Sequence, residues 1–146
     1  MNSDGVRAMG RASYGVTGIK LAKSDEVVSL EVLPISDEGK FSILTITKKG
    51  YGKRSKVNDY RLTARAGKGV INIKVSEKNG EVITSQCVKE RDTIIVATAK
   101  GIVIRSPVKG IRIMGRATQG VRIIKLQQGD SVTDLVRVPV VEDINL

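Results

Sequence analysis

The chain has 146 residues, 40% of them apolar, and 25 Lys and Arg against 15 Asp and Glu give it a formal charge of +10. That balance points to a polyanionic partner, and nucleic acid comes first because no run of about 18 apolar residues and no basic amphipathic helix is present for a membrane. The commonest acid-base side chain is missing, since there is no histidine, and the lone Cys87 can make neither an internal disulfide nor a Cys/His zinc site.

In chain order, the opening MNSDGVRAMGRAS lacks the apolar centre of a signal or transit peptide, so a cytoplasmic protein is expected. The first patterned segment is MGRASYGVTGIKL from Met9. It returns as TARAGKGVINIKV from Thr63 and as MGRATQGVRIIKL from Met114. Arg11, Arg65 and Arg116 are thus separated by 54 and 51 residues, as are Gly15, Gly69 and Gly120, and Lys20, Lys74 and Lys125. A period near 50 residues signals a repeat architecture.

The carboxylate pairs Asp25-Glu26 and Asp37-Glu38 lie in turn-like segments, where solvated charge is the expectation rather than catalysis or metal binding. FSILTITKKGYGKRSKV from Phe41 then matches DTIIVATAKGIVIRSPV from Asp92, which puts Gly50 on Gly101 and Arg54 on Arg105. Both read as hairpins: a β-rich run, a turn at KKG or AKG, and a returning strand. The first copy of the repeat has no such hairpin.

Within GVINIKV, alternation is expected to turn Ile71, Ile73 and Val75 to one face and Val70, Asn72 and Lys74 to the other. A turn at EKNGE leads into VITSQCV, which places Cys87 half-buried in a strand. The expected fold is therefore all-β, a propeller-like array of four-stranded blades of about 50 residues. Residues 1–35 form an incomplete blade, 36–88 and 89–138 two complete ones, and 139–146 a tail, so the whole chain is one partial domain of about two and a half blades.

ARAGKGV fails as a phosphate-binding P-loop, because Leu62 stands where the first glycine belongs and Gly69 where Ser or Thr belongs. The repeated glycines Gly15, Gly69 and Gly120 instead suit a positive φ or a close backbone approach. Lys20, Lys74 and Lys125 should face water, and one cation per blade held in register makes a stripe that can follow a phosphate backbone. Phe41, Tyr14, Tyr51 and Tyr60 are the only aromatic residues. So few stacking groups, and no helix to enter the major groove, favour duplex DNA contacted through phosphates, without base readout.

GYGKR, GKGVINIKV and MGRATQGVRIIKL together resemble the C-terminal domain of the DNA gyrase A subunit, over about Val6 to Val138. The resemblance implies the second half of a six-bladed β-pinwheel that binds and wraps double-stranded DNA. It also implies that the fragment is non-catalytic and needs no cofactor, inside a type II topoisomerase whose other parts are the rest of the A subunit plus the B subunit. Arg11, Lys20, Lys53, Arg54, Arg65, Lys68, Lys74, Arg105, Arg116 and Lys125 are the expected DNA contacts. The family's glutamine-arginine-glycine-rich box has no counterpart here; Arg65, Gly67, Lys68 and Gly69 only echo it. The strand-breaking tyrosine belongs to another domain, so Tyr14, Tyr51 and Tyr60 carry no such role. The C-terminal domain of the topoisomerase IV A subunit is the close alternative, and a blade scaffold that binds an acidic protein is an alternative of another class.

Overall fold

The computed structural model describes residues 1–33 and 39–140. Asp37 and Glu38, and the tail from residue 141 onward, lie outside the described residues. The strands are β1 (Ser42–Thr47), β2 (Tyr51–Lys56), β3 (Val82–Val88), β4 (Thr93–Thr98), β5 (Val103–Pro107), β6 (Val121–Arg122) and β7 (Val132–Val138). They form two antiparallel sheets, one in the order β3-β1-β2-β6 and one in the order β5-β4-β7.

Each hairpin is closed by a three-residue loop whose last position must be left-handed, and glycine fills it: Gly50 has φ 81° and Gly101 φ 82°. The threonine before the loop ties it down. The Thr47 hydroxyl donates to the Tyr51 carbonyl at 3.1 Å, and Thr98 Oγ1 accepts from the Ile102 amide at 3.2 Å.

A short 3-10 turn follows each returning strand, at Val57–Asp59 and Val108–Gly110, and the same turn stands at Ser3–Gly5 in the first copy. In all three, the next amide closes the turn at 2.9 Å: Val6 onto Ser3, Tyr60 onto Val57, Ile111 onto Val108. The repeat is therefore conformational as well as written.

The two sheets share one core. Leu44, Ile46 and Val88 from the first sheet pack with Ile94, Val96, Val132 and Leu135 from the second, and Val108, Ile111 and Ile124 join them from the connecting segments. The Gln86 amide donates to the Leu135 carbonyl at 2.8 Å and the Val132 amide to the Lys48 carbonyl at 2.9 Å, locking the sheets edge to edge.

The fourth strand of the first sheet does not come from its own unit. β6, from the third copy of the motif, pairs with β2 in the register Tyr51 to Arg122 and Gly52 to Val121. The second copy, GVINIKV, forms no strand. Of its expected buried face only Ile73 is covered, while Ile71 and Val75 are exposed. The physical reason is that extended backbone becomes a strand only against a ladder partner; residues 121–122 have β2, whereas Ile73 meets only an isolated bridge to Thr118.

Glycine decides how closely the exchanged segment can lie. A Cβ on Gly120 (φ 78°) would stand 2.6 Å from the Gly52 carbonyl oxygen, and one on Gly52 would stand 2.4 Å from Ile123 Cδ1. Gly69 has the same kind of backbone angle, φ 77°, but its nearest neighbour would be Ile19 Cδ1 at 3.8 Å. Gly120→Ala should therefore lower stability more than Gly69→Ala, by on the order of 1–3 kcal/mol, because both variants bear the left-handed strain and only Gly120 also collides with backbone. Urea unfolding of the two variants checks this; equal midpoints would contradict it.

Candidate nucleic-acid interface

The three motif copies lie side by side. The Ala66 amide donates to the Gly18 carbonyl at 2.7 Å and the Lys20 amide to the Gly67 carbonyl at 2.9 Å. One repeat later the pattern recurs: Ala117 onto Asn72 at 3.0 Å, and Lys74 onto Thr118 at 2.9 Å. Each copy thus holds the next in parallel register, through the bridges Ile19 to Gly67 and Ile73 to Thr118. The alanine in each receiving loop is forced left-handed, Ala66 at φ 62° and Ala117 at φ 57°, a conformation costing a residue with a Cβ roughly 1–2 kcal/mol.

This stacking carries Arg11, Lys20, Arg65, Lys68, Lys74, Arg116 and Lys125 on adjoining segments, whereas Arg105 stands on β5. Arg11, Lys20, Arg65, Lys68, Lys74, Arg105 and Lys125 are exposed and Arg116 is half-buried. Arg65 Nε donates to the Gly5 carbonyl at 3.0 Å and Arg116 Nη1 to the Ile71 carbonyl at 3.2 Å, so each clamps its loop to the preceding unit. A guanidinium has five N–H donors, and one such bond leaves the others to face an anion.

Lys53 and Arg54 do not lie on the surface. Lys53 is 0% exposed, and its ammonium donates to the Gly115 carbonyl at 2.7 Å. Burial pushes its pKa below the ordinary lysine value, with nearby Arg116 adding to the shift and Asp59 opposing it. Arg54 is 4% exposed; its Nε donates to the Ile111 carbonyl at 2.7 Å and its Nη1 to Glu90 at 2.6 Å. That partnership holds the Glu90 carboxyl below its usual pKa. With Ser55, whose hydroxyl donates to the Met114 carbonyl at 3.0 Å, these side chains seat the arriving loop rather than meet a ligand. Arg105, the repeat equivalent of Arg54, is exposed because no segment among the described residues docks on β5.

A second arginine series was legible but falls just outside the repeat as read from Met9. Arg7, Arg61 and Arg112 stand four residues before Arg11, Arg65 and Arg116, at the same offsets, and all three are exposed. Extending the alignment two residues upstream finds them. Charge is also segregated along the chain: residues 93–129 carry seven Lys and Arg and no Asp or Glu. Acids gather instead in turns such as that of Asp130, which accepts the Lys100 amide at 3.0 Å.

The remaining titratable candidates divide between packed and exposed positions. Cys87 is buried, and burial together with the Glu31 carboxylate raises its pKa to about 11. Tyr60 donates to Asn72 Oδ1, while Tyr51 is held by Arg122 Nη2 at 2.9 Å, which lowers its pKa. Tyr14 and the Asp25-Glu26 pair are exposed, and among the described residues no group of acids could hold a metal ion. Among the same residues no helix is long and apolar enough to cross a membrane.

Comparison with known proteins agrees with this geometry. The family model described as DNA gyrase C-terminal domain, beta-propeller, matches residues 1–34, 42–89 and 92–139. The DNA gyrase A subunit of Fibrobacter succinogenes is 46% identical over 138 residues, 94% of this chain and 15% of that protein. The Escherichia coli gyrase A subunit is 46% identical over 133 residues, 91% of this chain and again 15% of the relative. The chain thus spans about 15% of the length of these relatives. A solved gyrase A C-terminal domain superposes with a TM-score of 0.82 at 26% identity, covering 93% of this chain and 45% of that one. The C-terminal domain of topoisomerase IV shares the fold, at a TM-score of 0.83 and 24% identity, covering 92% of this chain and 41% of that one.

The paired positions Arg54 and Arg105 give a direct test of the seating role. Arg54→Ala should cost about 2–4 kcal/mol, since it strands the Ile111 carbonyl and opens a buried site. Arg105→Ala, in dilute protein, should stay within about 0.5 kcal/mol. Denaturant midpoints measure both, and equal losses would contradict the assignment.

Proposed function

Because the chain belongs to the DNA gyrase C-terminal domain family, we propose that it is a non-catalytic module that binds double-stranded DNA along its stacked motif loops and helps to wrap it. The observation that carries this reading is that successive copies hold each other through the same backbone bonds, so that the repeat-equivalent cations Arg7, Arg11 and Lys20, Arg61, Arg65 and Lys74, and Arg112, Arg116 and Lys125 recur on adjoining segments. Cations recurring in this way neutralise phosphates and release counterions, and that gain offsets the elastic cost of bending the duplex.

Within the whole gyrase, such wrapping would present a DNA segment for strand passage and favour negative supercoiling, with the breakage chemistry supplied by other domains and by the B subunit. The module itself needs no cofactor for binding of this kind. Phosphate contacts carry no sequence information, so affinity should be nearly independent of sequence apart from how easily the DNA bends.

Each phosphate that the protein no longer neutralises lowers the slope of log K against log salt by about 0.9. Arg112→Ala combined with Arg116→Ala should therefore flatten the slope by roughly 2, while Lys53→Met should leave it unchanged because its ammonium is turned inward. Titrations of a fluorescent duplex over a range of salt measure this. An unchanged slope in the double arginine variant would remove those loops from the interface.

A further inference from the structure

The joint between β2 and the third motif copy has a counterpart on the molecule that is half-built at two separate places. On the acceptor side, β5 repeats β2: Gly101, Arg105 and Ser106 stand where Gly50, Arg54 and Ser55 stand. Gly101 keeps the φ of 82°, and a Cβ there would meet nothing within 4 Å, whereas one on Gly50 would lie 2.6 Å from the docked Ile124 carbonyl oxygen. Among the described residues nothing pairs with the outer edge of β5. On the donor side, the first motif copy keeps Met9, Gly15 and Ile19 where the third has Met114, Gly120 and Ile124. Gly15 holds φ 79° with open space around it, already in the docked conformation of Gly120. Met9, Val16, Ile19 and Leu21 are exposed, while Ile124 in the seated copy is buried.

The decisive feature is an exchange of size. In the seated joint Gly52 makes room for Ile123, whose Cδ1 would stand 2.4 Å from a Cβ at residue 52. On β5 the position of Gly52 is taken by Val103, 64% exposed, which would collide with an isoleucine there. In the first motif copy the position of Ile123 is taken by Gly18, and around Gly18 there is nothing within 4 Å. The second copy has Asn72 at that place. Two copies, the first and the second, have no acceptor strand among the described residues, and of these only the first, with Gly18, lacks a side chain that Val103 would strike. One element of the seated joint is missing: Ile104 replaces Lys53, so the bond to the motif's glycine carbonyl has no equivalent.

We propose that β5 accepts the first motif of a second copy of this chain, so that copies associate head to tail with Val103 of one filling the space over Gly18 of the next. By analogy with the seated joint, the Arg105 amide donates to the Arg7 carbonyl of the other copy and its guanidinium to the Val6 carbonyl. The contact is heterologous, so it does not close at a dimer; the mean mass keeps rising with concentration. It covers a strand edge that is otherwise open to pairing. Two copies of charge +10 repel each other, so salt strengthens the association, the reverse of its effect on DNA binding.

Sedimentation of the 146-residue chain over rising concentration tests this, with amide exchange at Arg105 followed in the same samples. The expected results are a mean mass that increases with concentration and with salt, and an Arg105 amide that exchanges more slowly as the mass rises. Gly18→Ile should weaken association by at least about tenfold, and adding Val103→Gly to it should restore the association by recreating the Gly52 and Ile123 pairing. A monomer at every concentration would overturn the proposal. So would association that Gly18→Ile leaves intact, or a double variant that stays monomeric while its circular dichroism matches that of the parent chain.

Discussion

The architecture depends on a backbone contact between two glycines. Where Gly120 crosses Gly52, neither can carry a side chain, and the approach lets the Ile123 and Ile124 amides reach the Gly50 carbonyl at 2.8 and 3.2 Å. That crossing ties the third motif copy to the preceding hairpin, extends the first sheet by β6, and brings Ile111 and Ile124 into the shared core. The seating of the cationic loops follows from it, because Gly115 and Arg116 are carried on the same segment that Lys53, Arg54 and Ser55 hold from below.

Positive charge therefore has two separate uses in this chain. Buried cations build: the ammonium of Lys53 and the guanidinium of Arg54 satisfy backbone carbonyls that the crossing would otherwise leave unpaired. The exposed arginines and lysines of the motif loops are the groups that, in the proposed function, meet the polyanion, Arg65 and Arg116 while also holding a backbone carbonyl. Lysine in a fully buried position costs desolvation, seen in its lowered pKa, and that cost is borne where it fixes the orientation of a loop.

Much of this was legible in the sequence. The repeat, the hairpins closed at Gly50 and Gly101, and the left-handed glycines follow from spacing and turn chemistry that act locally. What was not legible is long-range. GVINIKV has strand-like alternation, yet whether it pairs depends on a neighbour a full repeat away, and Ile71 and Val75 stay exposed where no ladder partner covers them. Likewise, GYGKR reads as a basic surface turn, and only the docking of residues 111–115 shows that Lys53 and Arg54 are inside. Identity of residue type across repeats conveys equivalence of position but not of burial, as Arg54 and Arg105 illustrate.

The central claim is that one row of motif loops, positioned by the exchanged segment, is the DNA-binding face. Amide hydrogen exchange of the chain with and without a short duplex tests it most directly. The account predicts slowed exchange over residues 7–20, 61–74 and 112–125, and no change at the hairpin turns 48–50 and 99–101. Protection confined to those turns, or spread evenly over both sheets, would contradict it.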